Sequence, residues 1–322
     1  MYSLPLPHQF NRDAWKSHLA SHPDRSAVDS ALLTISTGAR IGIIPPGPPP
    51  NTSPNLHVAS TATSQIDRDL EKEVKLGRMA GPFAELPCPD LFVSPIGTVP
   101  KKDTDDIRRI HNLSHPIGAS INDFIEYQPL RYASFDDAVS IAKKLGPKAL
   151  FAKLDVKAAF RCIPIHPSDR KWLGMRWRDQ YYADLALPFG MSSSPALWEQ
   201  FASLVEWIIR NSGVRWVCHY VDDFLLGGAA DSDECARAVA RACEILKELG
   251  VPVNAEKLAA EGTPATIVRF LGIIIDTVLQ QARLDPERLD DIRSELKSWA
   301  ARKSCTRQEL QSLVGSSRSR RR

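Results

Sequence analysis

The sequence predicts an α+β domain, and three observations lead there. From residue 134 onward, segments with helix and strand patterns follow in the order helix, strand, helix, hairpin, helix, strand. Apolar residues make up 43% of the chain and charged residues 25%, which allows a sizeable core and excludes a wholly disordered or collagen-like polymer. A length of 322 residues corresponds to about two compact units at roughly 150 residues each.

Residues 1–60 are expected to be poorly ordered. The stretch IIPPGPPPNTSPN, from Ile43 to Asn55, carries six prolines, which deny the backbone both helix and central strand and predict an extended linker. Order is expected from Ser64, where SQID opens a capping box and Ile66, Leu70 and Val74 follow at four-residue spacing on one helix face. Pro82, Pro87 and Pro89 close that helix and lead into LFVSPIGTVPKK, an extended segment broken by Gly97 and Pro100 that reads as a hairpin in a small β-rich lobe.

A second helix is capped by SFDD from Ser134, carries Ala138, Ile141, Ala142 and Leu145 as its apolar stripe, and ends at Gly146. The strand ALFAKLD follows, with Asp155 at its end. SSSPALWEQ starts a third helix, with Ser194 as cap, Pro195 in the first turn, and Leu197, Phe201, Leu204, Val205 and Ile208 turned inward. RWVCHYVDDFLLGG reads as a hairpin with Asp222 and Asp223 at its tip. Asp231 and Glu234 box a fourth helix that runs to Gly250. RFLGIIID reads as one more strand, and LDPERLDDIRSELKSWA and TRQELQSLVG as two more helices. One sheet backed by helices is the economical arrangement.

Forty-one basic residues meet thirty-eight acidic ones, a net charge of +3, with Arg318, Arg320, Arg321 and Arg322 in the last five positions. Without these, thirty-seven bases meet thirty-eight acids, so any case for a polyanionic partner has to be local. From Ile141 to Arg178, ten Lys or Arg stand against two acids and are interleaved with Phe160, Trp172 and Trp177. Phosphates favour such a surface, and aromatic rings there can stack on bases. The six cysteines form no CxxC pair and no zinc-ligand spacing, which points to a reduced, intracellular chain. No apolar run approaches a membrane span, and the first residues lack the pattern of a signal peptide. The expected location is the cytoplasm or nucleus, with no membrane partner.

If the Asp222–Asp223 hairpin pairs beside the strand that ends at Asp155, three carboxylates gather at one sheet edge. They repel one another unless cations neutralise them, and hard Mg²⁺ prefers oxygen ligands. A phosphoryl-transfer site with two ions about 3.5 to 4 Å apart follows from that grouping. Taken alone, the doublet could equally be two turn residues and Asp155 a helix cap.

The strings around these acids resemble the reverse transcriptases of retroviruses and retrotransposons. Tyr220-Val221-Asp222-Asp223 is the YVDD signature in its strand-turn-strand setting. LDVKAAF, from Leu154 to Phe160, is similar to the first palm motif, and LPFGMSSSPALWEQ, from Leu187 to Gln200, to the gypsy-like LPFG motif. VPVNAEKL and FLGIIID stand where the two later palm motifs belong, and SPIGTVPKKDTDDIRRIHNLSHPIGASIND is similar to the fingers motif. Six strings in the right order over residues 64 to 280 make a specific match.

The resemblance implies a right-hand polymerase with an antiparallel-sheet palm backed by helices, a β-rich fingers lobe and a partial helical thumb. It divides the chain into a Pro-rich region at 1–60, fingers at 61–133, a catalytic palm at 134–280, and partial thumb with basic tail at 281–322. It implies RNA-directed DNA polymerase activity, a two-metal nucleotidyl transfer from a dNTP to a primer 3′-OH on an RNA or DNA template. The cofactor would be Mg²⁺, two ions, with Mn²⁺ as an alternative. By resemblance Asp155, Asp222 and Asp223 are the metal ligands and catalytic carboxylates, and Lys257 the acid that protonates pyrophosphate. Lys101 and Arg108 would grip the triphosphate, with Lys102 and Arg109 as neighbours able to share that task. Val156, Phe189 and Gly190 would line the nucleotide, and Phe160 would be the ring that excludes a 2′-OH.

Forty-six residues follow FLGIIID, which reads as a truncated piece of a gypsy-like or DIRS-like retroelement polyprotein. A non-processive relic that binds template and primer without efficient catalysis, and a metal nuclease on an unrelated fold, are the rival readings.

Overall fold

The computed structural model describes residues 4–7, 9–51, 53–56, 62–100 and 107–300, with 302, 304–307, 309–311 and 313. Lys101, Lys102 and the Arg tail lie outside the described residues. Two compact units share the chain. The first consists of Met1–Arg131, Ala158–Val205 and Leu246–Pro252, the second of Tyr132–Lys157, Glu206–Ile245 and Val253–Arg322. The expected fingers–palm boundary at 133/134 falls two residues from a unit boundary, whereas 158–205, expected in the palm, belongs to the first unit.

In the first unit, the region expected to be poorly ordered contains the helices Arg12–His18 and Arg25–Thr37, capped by Asn11 and Asp24 through bonds to Ala14 N at 3.3 Å and Ala27 N at 2.9 Å. Trp15 and Leu19, four apart, and Val28 and Leu32, also four apart, are buried. The Trp15 ring meets Phe10 edge-on at 5.5 Å and Phe201 at 5.4 Å, and its Nε1–H donates to Leu249 O at 3.0 Å. These two short stripes outweigh the prolines that follow, which is why the expectation failed. The Pro-rich segment itself is pinned by Ile44 N to Phe124 O at 2.7 Å and Asn51 Nδ2 to Val93 O at 2.8 Å.

The helix Thr63–Lys75 begins one residue before the expected cap, Ser64, and buries Ile66 and Leu70. They pack with Met79, Ile96, Met175, Trp177 and Tyr182. The strands Met79–Phe83, Gln180–Asp184 and Gly174–Trp177 form an antiparallel sheet in that order. Its second hairpin, turning at Arg178 and Asp179, was missed in the sequence because GMRWRDQYYAD carries no Gly or Pro at the turn itself. The expected fingers hairpin is present as Ile96–Pro100 paired with Ile107–His111.

In the second unit, Ser134 N donates to Asp137 Oδ2 at 2.7 Å in the expected capping box, and the helix Phe135–Leu145 ends at Gly146. The strands Leu150–Asp155, Asp223–Gly228 and Val217–Tyr220 form an antiparallel sheet in that order, with the Asp223–Gly228 strand at the centre. FLGIIID is a hairpin rather than one strand: Ile267–Phe270 turns through Leu271 and Gly272, both at positive φ, into Ile273–Asp276, which pairs further with Gln281–Leu284. The single sheet expected from the sequence is therefore two sheets in this unit. Ala138, Ile141, Phe151, Cys218, Leu225, Val268, Phe270 and Ile275 form the core between them. The strand Leu150–Asp155 is apolar but for Lys153 and the terminal Asp155, and it is paired on both edges: Phe151 N donates to Ala265 O at 2.8 Å, opposite its pairing with Asp223–Gly228. The helix Pro286–Ala300 follows. Among the described residues no helix is long and apolar enough to cross a membrane.

Candidate active site

The ladder of the second unit sets Asp155 and Asp223 opposite each other as Cα partners at the end of two adjacent strands. Asp222 precedes Asp223 in the turn, and its carbonyl accepts from Val156 N at 2.9 Å, so the residue after Asp155 is tied to the doublet. Val221 holds the turn at φ 54°, a left-handed conformation uncommon for a β-branched residue and of the kind that clusters at functional sites. The three carboxylates predicted from residues far apart in sequence are thus brought to one end of one sheet. Val156 has its side chain buried.

Their environments differ. Asp155 is buried, its Oδ1 accepts from Asn254 Nδ2 at 3.1 Å, and its Oδ2 accepts from the Lys257 ammonium. Asp223 has a buried Oδ1 without a hydrogen-bond partner. Burial pushes the Asp223 carboxyl up to about 6, and Asp222 and Asp155 add to the rise while Lys153 and Lys257 oppose it. Burial disfavours the Lys257 ammonium, yet Asp155, with Asp223 and Asp222, outweighs it and raises its pKa. Among the described residues no three His, Cys, Asp or Glu side chains stand grouped as around a metal ion.

Lys257 lies in the first turn of the helix Ala255–Glu261, and Asn254 caps that helix, its Oδ1 accepting from Lys257 N at 3.4 Å. Asn254 N also donates to Asp155 O at 2.9 Å. Asn254 was not singled out in the sequence, although an Asn three residues before the lysine is a helix-cap signal. Lys153, which also faces this cluster electrostatically, is paired with Glu261 at 2.9 Å.

The nucleotide-binding residues expected at Phe160, Phe189 and Gly190 come together in the first unit. Phe160 sits on the 3₁₀ turn Ala159–Cys162, which Ala158 enters at φ 53°, and its ring centroid lies 5.4 Å from that of the half-exposed Phe189. Gly190 adopts φ 94°, and a Cβ there would lie 2.9 Å from His111 O, so only glycine fits. Asn122 fixes this loop by donating to Gly190 O at 2.8 Å and accepting from Ser192 N at 2.9 Å. A cavity of about 200 Å³ beside Pro188 and Phe189 is lined by basic and acidic side chains alike, Lys72, Arg109 and Arg161 with Asp69, Glu73 and Asp184.

Lys101 lies outside the described residues, and Arg108 is described by its backbone alone, paired with Val99 in the fingers hairpin. Arg109, on the opposite face, donates through Nε to Asp69 at 2.7 Å and serves as a structural cation. The basic run from Ile141 to Arg178 is largely consumed by the fold: Arg161 and Arg170 are buried, Lys171 pairs with Asp90 and Arg178 with Asp67. Trp177 is core, with Nε1–H donating to Asp67 at 2.7 Å, so it offers no stacking face.

A profile of the reverse transcriptase (RNA-dependent DNA polymerase) family matches residues 99–275, more than half of the chain. Protein P of heron hepatitis B virus is 30% identical over 146 residues, which is 45% of this chain and 18% of that protein. The genome polyprotein of Petunia vein clearing virus is 26% identical over 170 residues, 51% of this chain and 7% of the polyprotein. The chain therefore spans less than a fifth of these relatives. Among solved structures, a foamy viral protease-reverse transcriptase in complex with double-stranded DNA superposes with a TM-score of 0.62 at 20% identity, covering 94% of this chain and 51% of that one. The same viral enzyme with an RNA/DNA hybrid gives 0.61 at 19%, covering 94% and 39%. The fold class is thus the α+β polymerase fold that the sequence predicted, and the chain belongs to the reverse transcriptase family.

Proposed function

We propose that this domain is an RNA-directed DNA polymerase that extends a primer 3′-OH with deoxynucleotides on an RNA or DNA template. The observation that carries the proposal is the pairing of Asp155 with Asp223 across one ladder, with Asp222 in the connecting turn. Family members use divalent metal ions. The chemistry of the donors suits such an ion, although the side chains are not drawn together around one: three carboxylates stand at one sheet end, one of them with an orphaned buried oxygen and an elevated pKa that positive charge would restore to the usual range. Asp155, Asp222 and Asp223 would hold it, and Mg²⁺, as two ions, would supply charge neutralisation for the attacking hydroxyl and the leaving pyrophosphate.

The chain's own side chains supply the remainder. Phe160, against Phe189, forms a wall that leaves no space for a 2′-OH. Lys257 holds a proton beside the cluster that it can give to the leaving pyrophosphate. Arg108, on the fingers hairpin, and Lys101 contribute the cations for the triphosphate. We assign the second unit the catalytic palm strands. Placement with gypsy-like or DIRS-like retrotransposons rests on the LPFG motif at Leu187–Gly190.

A primer-extension assay with Mg²⁺ and dNTPs tests the reading. Extension abolished by Asp222→Asn supports it. Binding of template-primer without extension favours the relic, and cleavage without any dependence on dNTP favours the nuclease.

A further inference from the structure

The residue after Phe160 is a buried arginine that no part of the proposed chemistry uses. Arg161 is 5% exposed, and a buried guanidinium is retained only where its fork is fully engaged. Its Nε donates to Glu73 Oε2 at 2.9 Å, and Nη1 donates to Asp184 Oδ1 at 2.7 Å and Ala186 O at 2.8 Å. Nη2 donates to Arg78 O at 3.1 Å. Asp184 is itself buried, with Oδ2 3.0 Å from His111 Nδ1. Burial opposes its charge, yet Arg161, then His111 and Arg109, hold its carboxyl well below the usual range. The cluster is therefore charged and compensated.

The acceptors have a common geometry. Ala186 O lies on the segment that runs directly into Leu187, Pro188 and Phe189, and Asp184 ends the strand before it. Glu73 belongs to the helix Thr63–Lys75, and Arg78 follows it. One planar group thus ties the turn that carries Phe160 to the segment that carries Phe189 and to a fixed helix. This fork therefore links the two elements whose rings stand 5.4 Å apart.

We propose that Arg161 is a positioning residue that sets the spacing of the Phe160 and Phe189 rings and through it the discrimination between deoxyribose and ribose. This deepens the reading of Phe160 as the sugar-excluding ring and rests on it. Lysine at 161 keeps the charge but cannot span four acceptors, so the turn is free to shift while the carboxylates stay neutralised.

The test is steady-state extension with single dNTPs and matching rNTPs, giving kcat and KM for each, on the wild-type chain, Arg161→Lys, Glu73→Gln and Phe160→Ala, with melting transitions recorded alongside. Arg161→Lys is expected to lower the dNTP-over-rNTP ratio in kcat/KM by about tenfold, mainly through the rNTP KM. Its dNTP kcat should stay within about threefold of wild type. Glu73→Gln, which keeps the arginine and removes one acceptor charge, should move the ratio in the same direction by less, and it stands as the test if the lysine variant does not fold. A lower melting temperature with an unchanged ratio in the folded variants, while Phe160→Ala admits rNTPs, overturns the positioning role alone. A ratio unchanged in Phe160→Ala, or a wild-type chain that does not extend, overturns the gate reading and this proposal with it.

Discussion

The Lys257 ammonium is bonded to the Asp155 carboxylate, whose other oxygen accepts from Asn254 at 3.1 Å. The pair joins a half-exposed cation to a buried anion, and the anion sits opposite a second carboxylate on the next strand. In the absence of divalent ions Lys257 is thus a direct countercharge on the acidic cluster, and a divalent cation must compete with it.

Replacing Lys257 with Met removes that competitor. Because the carboxylate left behind is buried, the cation-free protein should lose more than the roughly 1 kcal/mol of a surface pair. The rise in melting temperature on adding MgCl₂ should be larger than in wild type. Thermal melts with and without the salt check this, and an equal or smaller rise in Lys257→Met contradicts it.

Asp223 gives a pH signature. Its carboxyl is raised to about 6 in the folded chain, above the roughly 3.9 of an unfolded aspartate, so between those values the folded state holds more protons. Its contribution to stability is present below about pH 4 and is lost as pH rises through about 6. Asp223→Asn removes that loss. Urea denaturation in EDTA should find the variant more stable than wild type at pH 8 by about 2 kcal/mol, with the difference vanishing near pH 4. Equal stability at pH 8 is the contrary result.

Phe160→Ala should admit ribonucleotides, because its ring, packed at 5.4 Å from Phe189, is the bulk proposed to meet a 2′-OH. The kcat/KM for rNTPs is expected to rise by about a hundredfold relative to dNTPs. Single-nucleotide incorporation with each sugar measures it, and unchanged selectivity argues against the assignment.

Trp15 is fully buried and donates to Leu249 O at 3.0 Å. Trp15→Ala should cost about 3 to 5 kcal/mol of stability. Chemical denaturation of the full chain reads this directly. A loss under about 1 kcal/mol would mean that the N-terminal helices are not part of the first unit's cooperative core.

Local signals carried most of the fold. The capping box at Ser134 and Asp137, the stripe through Ile141, and the apolar runs flanking Asp222 and Asp223 were legible because helix period and strand composition are properties of neighbouring residues. The helices around Trp15 and Leu32 were not, since each buries only a few residues and the prolines after them carry the louder signal. Arg178 and Asp179 turn a hairpin without glycine. At the candidate site the strings named the carboxylates, whereas Asn254 and Asn122 reach partners 99 and 68 residues away and Arg161 reaches Glu73 at 88 and Asp184 at 23, relations that no sequence period records.

The most direct measurement compares RNA-templated primer extension by the wild-type chain and by Asp155→Asn under identical Mg²⁺ and dNTP concentrations. The substitution preserves the shape of the residue and removes the charge that faces Asp223. The account predicts extension by wild type and a loss of about a thousandfold or more in the variant. Extension by Asp155→Asn within about threefold of wild type would contradict it.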